Sequence, residues 1–215
     1  MKEKFIELYK EHITRPGADK FLEWLERSDF FDAPASTKFH LSRPGGLCEH
    51  SIHVYERLRE LYIHELDRDH ERIVELSAQE EETLAICGLL HDICKVGTYK
   101  QEPKNQKTYD PEKVKAAQKW QVEHDSMGDF IWETVMGYKS EEDLVYGHGE
   151  KSVYIIASFM KLSRDEAVAI RYHMGPWRDG EKQDAGKAFN KCKLAVLTHL
   201  ADMLATYFDE ADLDA

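Results

Sequence analysis

The sequence is poor in everything that would tie it to an oxidising compartment or a membrane. Its 4 cysteines, Cys48, Cys87, Cys94 and Cys192, show no C-x-x-C spacing, so neither a disulfide framework nor a paired-cysteine metal knuckle is indicated. They read as small core residues of a reduced, cytoplasmic protein, with a ligand role as the minor alternative for Cys48 and Cys94, which lie close in sequence to candidate ligands. No apolar run approaches the ~20 residues that a membrane-spanning helix needs. The start Met1-Lys2-Glu3-Lys4 leads into a charged segment rather than a signal peptide. Internal repeats and low-complexity tracts are absent. An excess of positive charge is missing too: the formal charge of −12 argues against an extended nucleic-acid surface, which needs a basic stripe. The basic residues Lys100, Lys104, Lys107, Lys113, Lys115 and Lys119 cluster mid-chain. The acid excess falls between residues 65 and 82 and at the C-terminus, where it reads as solvated helix face.

What is present is helical periodicity. The 215 residues suit one domain over 1–215 with a continuous core. Phe5, Ile6, Tyr9 and Ile13 mark a first helix, and Phe21, Leu22 and Leu25 a second. A loop over 28–46 follows, with Phe30, Phe31 and Phe39 expected to tuck against the core. The next helix runs from His50 to about Leu66. Ser77-Ala78-Gln79-Glu80 is a capping-box pattern opening the helix that runs into His91, and Ser163-Arg164-Asp165-Glu166 is another before the helix ending at His173. A polar loop is expected over 177–186 and one long helix over 187–209. Over 97–147 the helical signal weakens. Helices are expected at 111–120 and 129–137, and Trp120, Phe130, Trp132 and Tyr138 make the stretch too aromatic for disorder. It reads as a lid or cover over one side of the site.

The most informative stretch is Gly88-Leu89-Leu90-His91-Asp92-Ile93-Cys94-Lys95. Neighbouring side chains on a helix point about 100° apart, so His91 and Asp92 cannot both reach solvent from an apolar helix end. A buried imidazole and carboxylate need a partner, and a divalent metal accepts both. The alternative is a helix-end pair with Asp92 solvated. Asp202 interrupts a helix whose neighbours Leu197, Leu200, Ala201 and Leu204 are apolar, and a buried carboxylate without a cation would have its pKa raised. His199, one turn earlier, reads as a satisfied core histidine. His12, His40, His64, His70 and His124 receive no role.

In order, the segments Gly45-Gly46-Leu47-Cys48-Glu49-His50-Ser51, Leu89-Leu90-His91-Asp92-Ile93-Cys94-Lys95, Gly147-His148-Gly149-Glu150-Lys151-Ser152, Ile170-Arg171-Tyr172-His173-Met174-Gly175 and His199-Leu200-Ala201-Asp202-Met203-Leu204-Ala205 resemble the HD-domain metal-dependent phosphohydrolase superfamily, in a subgroup of small HD hydrolases. The resemblance covers roughly residues 45–206. It implies an all-α helical bundle with a partly irregular insertion around 97–147, where a short hairpin can sit, and N-terminal helices (1–44) packed on a metal-binding core (45–209). It further implies that His50, His91, Asp92 and Asp202 hold one metal ion, and that His148 and His173 let a second bind with Asp92 bridging. Such a donor set suits Fe or Mn first, with Co, Ni and Zn as options.

The implied activity is hydrolysis of a phosphate ester, of a nucleotide or similar small phosphorylated molecule, by a metal-activated hydroxide. Asp92 and Lys95 are the expected catalytic residues, with Lys151, Arg171 and His53 as candidate substrate contacts. HD-fold mixed-valent di-iron oxygenases with the same six ligands are the alternative. The chain lacks the GYP element of cyclic-dinucleotide phosphodiesterases and the Glu-Asp pair of alarmone hydrolases.

Overall fold

The computed structural model describes residues 1–67, 74–141, 146–177 and 182–211. His70, part of the acidic stretch and residues 178–181 of the expected polar loop lie outside them. In chain order the elements are helices α1 (Lys2–His12), α2 (Ala18–Arg27), α3 (Gly46–Leu66) and α4 (Ala78–Leu90), strand β1 (Tyr99–Thr108), helix α5 (Pro111–Ala116), strands β2 (Glu123–Asp125) and β3 (Gly128–Ser140), and helices α6 (His148–Ala157), α7 (Arg164–Arg171), α8 (Lys182–Lys191) and α9 (Lys193–Leu204). They form two compact units: a helical one from Met1–Thr98 with Glu142–Ala215, and an inserted one, Tyr99–Glu141. No helix among the described residues is long and apolar enough to cross a membrane.

Helix α4 is the centre of the helical unit. Both capping boxes form as the sequence predicts, Ser77 with Glu80 and Ser163 with Glu166, which satisfies backbone donors that a helix start leaves open. Every residue from Leu84 to Leu90 is buried, because α1, α3 and α7 all pack on this helix. Burying each leucine or isoleucine contributes about 1.5–3 kcal/mol. Two glycines set how closely helices approach. A Cβ on Gly88 would lie 2.4 Å from Tyr55 Cα, and one on Gly149 2.2 Å from the Arg171 carbonyl oxygen. These contacts bring the end of α4 onto α3, and α6 onto α7.

Polar groups cross-link the same helices. The Arg15 guanidinium donates to both carboxylate oxygens of Glu166 at 2.8 Å and to Glu82 at 3.1 Å, while Thr83 Oγ1 donates to Glu166 at 3.0 Å. In the loop before α3, Phe30 is buried against Phe5. Phe39, expected to tuck in with it, is 81% exposed. The single helix expected over 187–209 is divided at Cys192, whose backbone is extended (φ −129°, ψ 101°) and whose thiol lies 3.7 Å from the Asp165 carbonyl. A π-helical turn, Ala205–Asp209, ends α9.

The protein is mostly helical but not all-α: the inserted unit holds a three-stranded antiparallel sheet of order β1-β3-β2. Strands β1 and β3 pair from Tyr99↔Ser140 to Thr108↔Ile131, and β2 pairs with β3 from Glu123↔Phe130 to Asp125↔Gly128. The helix expected at 129–137 is therefore a strand. Phe130, Ile131, Trp132, Thr134 and Val135 are aromatic or β-branched, lose χ1 freedom in a helix and fit a pleated surface. Pro103 in β1 is tolerated because β1 is an edge strand. The helix expected over 111–120 stops at Ala116, and a 3₁₀ turn covers Lys119–Gln121.

Candidate metal centre

Six side chains singled out in the sequence meet in the helical unit. His50 comes from the second turn of α3, His91 and Asp92 from just beyond α4, His148 from the first residue of α6, His173 from just beyond α7, and Asp202 from α9. Asp92 joins them. Its Oδ1 lies 2.8 Å from His148 Nε2 and 3.3 Å from His173 Nε2; its Oδ2 lies 3.6 Å from His91 Nε2 and 3.7 Å from His50 Nε2. His50 Nε2 is also 3.3 Å from Asp202 Oδ1 and 3.2 Å from His91 Nε2.

The far nitrogens decide what the near ones offer. His91 Nδ1 donates to the Gly88 carbonyl at 2.8 Å, and His173 Nδ1 to the Ile170 carbonyl at 2.7 Å. Each imidazole thus occupies one of the carbonyls that a helix end leaves without a partner. His50 Nδ1 faces the Glu210 carboxylate at 3.0 and 3.1 Å. With the proton held on Nδ1, a neutral ring presents its Nε2 lone pair to the cluster. Two such lone pairs 3.2 Å apart on His50 and His91 repel unless a proton or a cation lies between them.

Charge makes the same demand. Burial pushes His91 down to about 3, with His173 and His50 adding to the effect against Asp92, so its ring is neutral. Burial also opposes charge on His50, yet hydrogen bonds to Asp202 and Glu210 raise it to about 9, so without a metal it is a proton on His50 that separates the two Nε2 lone pairs. Asp92, Asp202 and Glu210 stay ionised despite burial, held below the usual carboxylate range by Lys95 and the surrounding histidines. His173 Nε2 is fully buried with no hydrogen-bond partner among the described residues, an arrangement that costs about 1–3 kcal/mol unless something fills it. A divalent cation resolves all three problems, and imidazole plus carboxylate is the donor set that transition metals accept. The ligand atoms of His50, His91 and Asp202 lie within 4.8 Å of one another, as do those of His91, Asp92 and His173. These clustered residues can hold metal ions.

The expected catalytic and substrate residues are placed differently. Lys95 Nζ is 2.5 Å from Asp92 Oδ2, at the edge of the cluster. His53 turns to Glu210, its Nδ1 2.9 Å from Oε1. Lys151 is buried and donates to Thr98 Oγ1 at 3.1 Å. Arg171 is exposed and ion-paired with Glu150. His199 donates from Nδ1 to the His173 carbonyl at 2.6 Å, the satisfied histidine that its position suggests.

Three neighbours were not assigned a role from sequence. Glu210 has a fully buried carboxylate bridging His50 and His53. His40 lies beside His50, with ring centroids 5.0 Å apart and the planes tilted by 43°, and burial pushes it down to about 4. Cys94 Sγ lies 3.3 Å from His148 Nδ1. The signal for Glu210 was hidden by the π turn. Eight residues along an α-helix place a side chain about 80° round from Asp202. Closing a turn with i→i+5 bonds, as Glu210 N–H does to the Ala205 carbonyl at 3.0 Å, advances each residue by less than an α-helical step.

The model of the HD domain family matches residues 47–207, a span that contains all six side chains. The chain belongs to the HD domain family, and its His/Asp cluster is compatible with a metal site of that family. No curated protein and no solved structure matches it.

Proposed function

We propose that the protein hydrolyses a phosphate ester of a nucleotide or similar small phosphorylated molecule, with the six-residue cluster holding two metal ions. The observation that carries this reading is Lys95 set 2.5 Å from Asp92, a fixed positive charge beside a cluster of four imidazoles and two carboxylates. Bound divalent ions supply Lewis acidity and a water nucleophile acidified toward pKa ~7. His50, His91, Asp92 and Asp202 would hold one ion, and His148 and His173 a second, with Asp92, which faces all four imidazoles, shared between them. Lys95 neutralises a phosphoryl oxygen as negative charge builds in the transition state, while Asp92 fixes the ammonium in place. Burial of His91, Asp92 and His173 excludes bulk water from the donors, so the interactions act at low dielectric.

A panel of phosphomonoesters and diesters tested with Mn, Co, Fe and Ni checks the activity. Release of phosphate from a monoester, or of a phosphomonoester from a diester, that stops on chelation supports it, and dioxygen consumption without hydrolysis of any of them overturns it. Lys95→Ala tests the carrying observation. Turnover is expected to fall by about 2–4 kcal/mol of barrier while bound metal, read by elemental analysis, holds. Unchanged turnover on a good substrate would remove Lys95 from the chemistry.

A further inference from the structure

The turn after His91 and Asp92 brings a sulfur atom into a cluster otherwise made of nitrogen and oxygen. Cys94, in the 3₁₀ turn Ile93–Lys95, is 3% exposed. Its Sγ lies 3.3 Å from His148 Nδ1, 3.5 Å from His148 Nε2 and 4.0 Å from Asp92 Oδ1. The turn is pinned from both sides: Cys94 N–H donates to Ser152 Oγ, and its carbonyl accepts from Thr98 Oγ1, each at 3.0 Å. The thiol is therefore held at the cluster by backbone bonds as well as by burial. His148 also stands apart from its fellow imidazoles. Where His50, His91 and His173 have their Nδ1 atoms facing an oxygen, His148 Nδ1 faces this sulfur. An independent sign of a missing ligand lies alongside: fully buried His173 Nε2, without a hydrogen-bond partner, points at the same Asp92 Oδ1 from 3.3 Å.

Donors 2.0–2.3 Å from one tetrahedral ion stand roughly 3.3–3.8 Å from each other. The separations of 2.8, 3.5 and 4.0 Å among Asp92 Oδ1, His148 Nε2 and Cys94 Sγ lie on either side of that range, and the ligand atoms of these three residues fall within 4.8 Å of one another. We infer that Cys94 is a sulfur ligand of the metal ion on the Asp92–His148 side. This rests on the two-metal reading above and adds to it a difference between the two positions. One is built of nitrogen and oxygen alone; the other carries a thiolate, which favours zinc, cobalt or iron over manganese. Cys48, Cys87 and Cys192 belong to none of the His/Cys/Asp/Glu groups found among the described residues.

X-ray absorption at the zinc edge on the zinc-loaded full chain tests the assignment without any substitution. A sulfur shell at about 2.3 Å is expected. Two bound zinc ions with only nitrogen and oxygen neighbours would overturn the sulfur ligand and leave the metal centre standing, whereas failure to bind zinc, cobalt, iron or manganese would overturn both. In Cys94→Ser, with folding verified by circular dichroism, the sulfur shell should vanish and zinc should lose at least tenfold against manganese in competition. A sulfur shell that survives in Cys94→Ser would assign the ligand to another cysteine and refute the proposal.

Discussion

In the inserted unit only Phe130 and Tyr138 are buried, whereas in the helical unit a single helix, α4, buries every residue from Leu84 to Leu90. The sheet is held by ladder hydrogen bonds and by surface pairs such as Lys107 with Asp125 and Lys113 with Glu133. Exposed pairs of that kind contribute little each. The helices are held by apolar packing and by one partly buried charge network at Arg15. The contrast shows where fixed geometry is available. A cluster that must keep donor atoms within a few tenths of an ångström needs side chains whose rotamers are locked by packing and by outer hydrogen bonds, and all six candidate ligands come from the tightly packed unit.

The strongest way to break this contrast is Asp92→Asn. The change keeps the shape but removes the charge that four imidazoles face, so metal content should fall sharply and turnover by about 10²–10³-fold. A purified variant with full metal by elemental analysis would place Asp92 outside the centre. Next is Glu166→Ala, which leaves Arg15 with Glu82 as its carboxylate partner and should cost about 3 kcal/mol in urea unfolding. The effect depends on pH in a definite direction. Burial would raise Glu166, but Arg15, the Ser163 N–H and Thr83 hold it below its usual value. Its contribution is therefore complete above the unfolded-state pKa of ~4.3 and is lost as pH falls through the lowered folded-state value. The stability gap between wild type and Glu166→Ala should close on acidification, and a gap that is constant from pH 7 to 3 would show packing alone at work.

Smaller in effect, Glu210→Gln keeps the size of the buried carboxylate and removes its charge. Outer partners of ligating histidines typically contribute 10–100-fold in metal affinity, so a competition titration should show a loss in that range with the fold unchanged. Unaltered affinity would make the Glu210 contact incidental. Smallest should be Trp132→Ser in β3. Trp132 is 52% exposed, and a surface change of this kind typically moves stability by less than about 0.5 kcal/mol. Metal content should not move at all. A large loss of either would mean that the inserted unit matters to the centre more than its sparse burial implies.

What could be read from the chain follows the same division. His91, Asp92 and Asp202 were legible because they interrupt apolar helical stretches, whereas His50, His148 and His173 were legible only through the resemblance of their segments to the HD-domain superfamily. Strand β3 was misread because a short run of apolar residues does not distinguish a strand from a helix by periodicity alone. Strand β1, Tyr-Lys-Gln-Glu-Pro-Lys-Asn-Gln-Lys-Thr, has no apolar face to alternate and carries a proline, so nothing local announced it. Glu210 was hidden by a change of helical pitch, while Cys94 was marked only by its closeness in sequence to His91 and Asp92.

The π turn that swings Glu210 onto His50 also has a consequence in time. The two residues are separated by 160 positions, so at ~5–20 residues per second a ribosome adds Glu210 roughly 8–30 s after His50. During that interval His50, His91 and Asp92 are already made, while Asp202 and the carboxylate that orients His50 are not. A nascent chain passes through a stage with half its donors and no anchor for the first of them. Asp202 in α9 and Glu210 beyond it are the last parts of the candidate centre to be made, so the cluster is complete only once that final segment docks.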